Sequence, residues 1–118
     1  MSLMKKTTPA PGSLQARYDR LRKSLTQIGY ISQGSVLDRS KLRHPRSGYQ
    51  WTRKVARKTI TVALSPEQFH SLKQAVENER RLWKTIERME KISRQILFGT
   101  VPNPPRRKNL GKKALGLI

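Results

Sequence analysis

The residues best able to do chemistry in this chain are cations, and they come in clusters. Arg39, Lys41, Arg43 and Arg46 recur every two or three positions, with His44 among them. Arg53, Lys54, Arg57 and Lys58 form a second cluster, and Arg106, Arg107, Lys108, Lys112 and Lys113 a third. Lys and Arg at this density bind polyanions, because each cation displaces a counterion from a phosphate backbone. The chain holds 26 Lys and Arg against 7 Asp and Glu, a formal net charge of +19 in 118 residues. Solubility asks for a net charge of only roughly 2 to 8 in a small domain. The excess is also uneven. Residues 65–98 hold seven basic and five acidic residues, whereas residues 1–64 hold fourteen and two. Residues 99–118 hold five basic and no acidic residue.

Acid–base and metal chemistry have little to work with. Five of the acids, Glu67, Glu77, Glu79, Glu87 and Glu90, fall in one helical stretch; the others are Asp19 and Asp38. A two-metal nuclease needs carboxylates that converge, and this spacing suggests helix-surface charges instead. There is no cysteine, and His44 and His70 are the only histidines, so no zinc-ligand pattern is present. Gly12, Gly29, Gly34 and Gly48 are isolated, which excludes a glycine-rich phosphate loop. Neither a metal nor an organic cofactor is expected, and the chain reads as a non-enzyme. Tyr30, Tyr49 and Trp51 could stack on bases. Tyr49 and Trp51 also fall on an apolar face, which assigns them to packing.

The elements that must position these cations can be read from periodicity. Residues 1–12, with Pro9 and Pro11, read as a disordered arm. Leu14, Tyr18, Leu21, Leu25 and Ile28 are spaced 4, 3, 4, 3 and predict an amphipathic helix over residues 13–28. Ser13 is its candidate cap and Gly29 its stop. A short extended segment is expected within residues 30–37, and residues 38–48 read as a basic loop.

Residues 49–64 alternate and predict a β-hairpin. With Ala56-Arg57 as a two-residue turn, Val55 faces Lys58, Arg53 faces Ile60, Trp51 faces Val62 and Tyr49 faces Leu64. Gln50, Thr52, Lys54, Thr59, Thr61 and Ala63 then share the other face. Such a turn wants Gly or Asn, so a longer loop is the alternative.

Ser65-Pro66-Glu67-Gln68 is a capping box that opens a long helix over residues 66–97, ended by Gly99 and Pro102. Glu77 with Arg81, Glu87 with Lys91 and Glu90 with Arg94 are spaced as i,i+4 ion pairs. About thirty helical residues span about 45 Å, more than the first helix covers. Leu82, Trp83, Ile86, Met89 and Ile96 are therefore candidates for a protein partner or for self-association. Residues 99–118 read as a disordered basic tail. No apolar run suits a membrane span, and no signal segment is evident. A cytoplasmic, nucleoprotein setting is the expectation.

These elements are ordered as in a family of small bacterial proteins of unknown function associated with transposases and mobile elements, which the chain resembles. The matching residues are Ile28-Gly29-Tyr30-Ile31, Gly34-Ser35-Val36, Gly48-Tyr49-Gln50-Trp51-Thr52-Arg53-Lys54-Val55 and Lys58-Thr59-Ile60-Thr61-Val62. Leu64-Ser65-Pro66-Glu67-Gln68 and Asn78-Glu79-Arg80-Arg81-Leu82 continue the match. It runs from about Leu14 to Leu97. Relatives carry three cysteines, like a zinc knuckle, after the glycine-serine pair. Here Asp38 to Ser47 contains none, so a metal role does not transfer. Relatives also tend to have glycine in the hairpin turn, where this chain has Arg57. The resemblance implies the architecture and a mobile-DNA setting, but no reaction.

The combined expectation is an α+β domain: an N-terminal amphipathic helix, a β-hairpin and a long C-terminal helix packed antiparallel to the first, flanked by disordered basic arms. Its expected role is non-catalytic nucleic-acid binding, with DNA favoured over RNA. The basic loop, the hairpin cluster and Arg106, Arg107, Lys108, Lys112 and Lys113 would contact phosphates. The rival reading is a subunit that docks through its long helix on a larger nucleic-acid-processing protein.

Overall fold

The computed structural model describes residues 11–118, and the protein is α+β. Helix α1 (Pro11–Ser24) is tightened at its end by a 3-10 turn over Leu25–Gln27. Three strands follow, β1 (Ser35–Asp38), β2 (Tyr49–Val55) and β3 (Lys58–Leu64), and then helix α2 (Pro66–Thr100). The arm expected over residues 1–12 lies, as far as residue 10, outside the described residues. Pro11 and Gly12 open α1 instead, because proline suits a first helical turn whose N–H has no partner. Two compact units are present. One is Ile28–Trp83, and the other joins the first helix to Lys84–Ile118.

In the first unit the strands form an antiparallel sheet of order β1-β2-β3. The expected hairpin thus gains a third strand. Its register is as anticipated, with Tyr49 opposite Leu64, Trp51 opposite Val62, Arg53 opposite Ile60 and Val55 opposite Lys58. The turn is Ala56-Arg57, at φ of 51° and 69°. This two-residue geometry matches the twist of the strands but costs an L-residue roughly 1–2 kcal/mol at each position. The strand pairing carries that cost, and no longer loop is needed.

β1 pairs only with the base of the hairpin, from Asp38 opposite Tyr49 to Ser35 opposite Thr52. Gly34 (φ +102°) admits it. A Cβ there would sit 2.5 Å from both Thr52 O and Trp51 Nε1. The Trp51 indole donates to Gln33 O at 3.0 Å, which fastens the strand entry to the sheet.

α2 begins with a reciprocal capping box. Gln68 N donates to Ser65 Oγ (3.1 Å) and Ser65 N to Gln68 Oε1 (3.0 Å). The helix first buries Phe69, Ala75 and Val76. The Tyr49 ring stacks on Phe69 at 4.4 Å between centroids, worth about 0.5–1.5 kcal/mol beyond its buried area. Asn78 is also buried. It donates to Tyr30 O at 2.9 Å and accepts from Gln74 Nε2 and Arg81. Ser32 N donates to Ala75 O at 3.1 Å. These bonds tie residues 30–32 to the helix without any apolar side chain, and Tyr30 and Ile31 stay exposed.

In the second unit Leu14 and Ile92 are buried. α1 ends before Gly29, which is not left-handed. Ser24 Oγ bonds Leu21 O and Thr26 Oγ1 bonds Lys23 O, and these hydroxyls satisfy the terminal carbonyls. α2 continues through Gly99 to Thr100, whose hydroxyl bonds Ile96 O; Pro102 is the breaker. The segment after it, expected to be a disordered tail, instead forms turns. Arg107 N donates to Pro104 O and Leu117 N to Lys112 O, and Arg94 Nε reaches back to Gly116 O at 2.7 Å. Two of the anticipated ion pairs are displaced: Arg94 serves that carbonyl, and Lys91 makes none among the described residues.

Asn78→Ala should cost about 1–3 kcal/mol, because it leaves the Tyr30 carbonyl unpaired. Thermal unfolding should show it as a drop of about 4–8 °C per kcal/mol.

Candidate nucleic-acid interface

The hairpin is long enough to leave the third strand behind. β1 reaches no further than Thr52, so residues 53–60 project as a two-stranded ribbon. Three residues of each strand, at about 3.4 Å per residue, carry the turn about 10 Å beyond β1. A duplex major groove is about 12 Å wide and 8.5 Å deep. Two strands about 4.8 Å apart therefore fit within it.

The sheet has two unlike faces. Trp51, Arg53, Ile60, Val62 and Leu64 share one with Tyr49. Gln50, Thr52, Lys54, Thr59, Thr61 and Ala63 share the other. No acid lies on that second face among β1, β2 and β3. Its hydroxyl and amide groups can bond to phosphates or base edges, and Lys54 adds charge.

The four hairpin cations divide. Arg53 packs on its own sheet, with its guanidinium 5.2 Å from the Trp51 ring centroid and Nε buried without a hydrogen-bond partner. It is held as a structural cation. Lys54, Arg57 and Lys58 are exposed and make no ion pair or side-chain hydrogen bond among the described residues. Arg57 is the residue at φ 69°. Glycine would hold that position without strain, so the chain accepts strain where it places a guanidinium at the outermost point of the ribbon.

The basic loop divides likewise. Its neck is closed by Arg39 N donating to Gly48 O (2.9 Å) and Arg46 N donating to Arg39 O (3.2 Å). Asp38 caps the first turn, accepting from Ser40 Oγ at 2.7 Å and Ser40 N at 3.0 Å. Those bonds, and more weakly Lys41, hold its carboxyl below the usual carboxylate range. Arg39 folds back, and its Nε donates to Gln50 Oε1 at 3.1 Å. Lys41, Arg43, His44 and Arg46 remain exposed. The loop joins β2 at Tyr49 and the turn leaves it at Val55. The two open clusters therefore lie at opposite ends of one strand, about 20 Å apart by the rise of seven residues.

The tail candidates lie in the other unit. Arg106, Lys108, Lys112 and Lys113 are exposed, whereas Arg107 lies 5.5 Å over the Phe98 ring and donates to Asn103 Oδ1. Among the proposed partner residues, Leu82, Ile86, Met89 and Ile96 are half-buried. Trp83 is 56% exposed, and Leu97 and Phe98 are also open.

No group of three or more His, Cys, Asp or Glu side chains comes together among the described residues. No helix among them is long and apolar enough to cross a membrane. Comparison with family models, with characterised proteins and with solved structures returns no match.

Arg57→Gly should relieve the turn and raise stability by about 1 kcal/mol, while weakening binding to duplex DNA. A parallel gain in thermal midpoint and loss in binding affinity is the expected pair of readings.

Proposed function

We propose that the protein binds nucleic acid without catalysing a reaction, and that the hairpin ribbon and the basic loop are its duplex contacts. The observation that carries this reading is the projecting ribbon, tipped by three unpaired cations and strained at Arg57 to hold one of them. The polar face behind the tip supplies hydroxyls, an amide and Lys54 with no acid to repel phosphate. The open loop cations, at the other end of β2, are a second set free to meet phosphates outside the groove that the tip enters. An RNA duplex has a major groove too narrow for the ribbon, so DNA is the preferred duplex. Each acid before α2 is occupied by the fold. Asp19 accepts from Gln15 and lies 3.6 Å from Arg22, and Asp38 caps Ser40. An accessory role in a transposase or similar nucleoprotein complex, in the cytoplasm, follows from the resemblance of the sequence and belongs to the same proposal.

A second reading is favoured by Trp83, whose ring stands open on the charge-balanced long helix. Large exposed aromatics anchor protein interfaces. Self-association measured by sedimentation, and lost in Trp83→Asp with duplex binding intact, supports that reading.

The main test is a salt titration on duplex DNA. If Lys41, Arg43, Arg46, Lys54, Arg57 and Lys58 each meet a phosphate, log K against log salt has a slope of about −5. Lys54→Ala, Arg57→Gly and Lys58→Ala together should reduce the slope to about −2 to −3, since each lost phosphate contact removes about one unit. A wild-type slope near zero contradicts the reading.

A further inference from the structure

A second set of cations surrounds a cleft in the helical unit, remote in sequence from the hairpin and loop. The cleft has a volume of about 410 Å³, within the range of small-molecule sites. Its charged walls are Arg17 and Arg20 from α1 and Arg88 and Lys91 from α2. All four are exposed, and none makes an ion pair or side-chain hydrogen bond among the described residues. Leu21 and Ile92 supply an apolar surface between them, and the Gln95 amide completes the lining. No acid lines the cleft.

The lining has a sequence origin. Arg17-Tyr18-Asp19-Arg20-Leu21 on α1 and Arg88-Met89-Glu90-Lys91-Ile92 on α2 follow the same order: cation, apolar, acid, cation, aliphatic. On a helix the first, fourth and fifth positions of such a pentapeptide share one side, while the third points elsewhere. Both copies put those three positions into the cleft and keep the acid out of it. Asp19 is instead engaged by Gln15 and Arg22.

Four cations brought together without acids repel one another, so the cleft favours a ligand of high negative charge. Guanidinium groups bind phosphate oxygens in a planar, bidentate way. A phosphate alone would leave the apolar surface and the amide unused. A planar base could lie against Leu21 and Ile92, stack on a guanidinium, and bond the Gln95 amide. A duplex is too thick to enter so small a volume.

We propose that this cleft binds a nucleoside phosphate, with Arg17, Arg20, Arg88 and Lys91 holding the phosphate oxygens and the base lying on Leu21 and Ile92. The unit is either a free nucleotide or an unpaired nucleotide of a strand. In the second case the proposal rests on the nucleic-acid reading above, and in the first it stands without it.

The test uses the full chain and three probes: ATP, inorganic tripolyphosphate and a twelve-residue oligothymidylate, each measured by calorimetry. ATP should bind more tightly than tripolyphosphate. Arg17→Gln with Arg88→Gln should weaken ATP or oligothymidylate by roughly tenfold or more, while circular dichroism is unchanged. Duplex affinity in this variant should stay within about twofold of the wild type, because neither residue belongs to the tip or the loop. If ATP is lost and also displaces the oligomer, the source is a free nucleotide. If only the oligomer responds, the source is a strand. Equal binding of ATP and of the oligomer by variant and wild type overturns the proposal, as does tripolyphosphate binding as tightly as ATP where ATP binds. A wild type that ignores duplex DNA but binds ATP through these arginines would sink the duplex reading and leave this one standing.

Discussion

Uncompensated positive charge is the constraint under which every part of this molecule is built. With 26 cations and 7 acids, ion pairing cannot neutralise the surface, and like charges penalise compaction. The fold meets this by giving some cations other work. Arg53 lies over Trp51, Lys73 over Phe69 and Arg107 over Phe98. Arg39 clips Gln50, and Arg94 holds the carbonyl of Gly116. Their aliphatic stems add apolar cover to a core that is small, with Leu14, Phe69, Ala75, Val76 and Ile92 buried among the described residues. Among the cations not used in this way are those at the ribbon tip, in the loop, around the helical cleft and in the C-terminal segment. On the function proposed above, a polyanion would relieve that repulsion, and binding would then stabilise the fold.

The ribbon shows where backbone strain is held. A left-handed arginine at the end of a hairpin is a local conflict between residue and backbone. Such conflicts persist where the surrounding structure over-determines them. Here the supports are β1 pairing along the hairpin base, Trp51 fixed to Gln33 O, and Tyr49 stacked on Phe69. All of them lie at the base of the sheet. Beyond β1 the ladder is joined by Arg53 over Trp51, and Ile60 is 38% exposed. The contacts that hold the sheet are thus concentrated at its base.

Local patterns in the sequence were readable, and pairings between distant segments were not. The hairpin register follows from period-two alternation and a two-residue turn, and the start of α2 from Ser65-Pro66-Glu67-Gln68. Both are decided within a few residues. β1 is four residues long and finds its partner across a ten-residue loop, so alternation has no length in which to declare itself. Gly34 announces a turn but not the indole that needs the space. Asn78 looks like a polar helix residue, and its partner, the Tyr30 carbonyl, lies 48 positions away. Arg39 and Arg53 are indistinguishable by type from their neighbours. Only the positions of Gln50 and Trp51 separate structural cations from open ones. The matched pentapeptides at Arg17 and Arg88 were visible as letters, but the cleft exists only when the helices meet.

The most direct test of the central claim is an amide-resolved NMR titration of the protein with a short DNA duplex. Binding by the ribbon and loop predicts that the largest shifts fall on residues 53–59 and 41–47, with Phe69, Val76 and Asn78 little changed. Largest shifts on Trp83 to Leu97, with the ribbon amides unmoved, would contradict it.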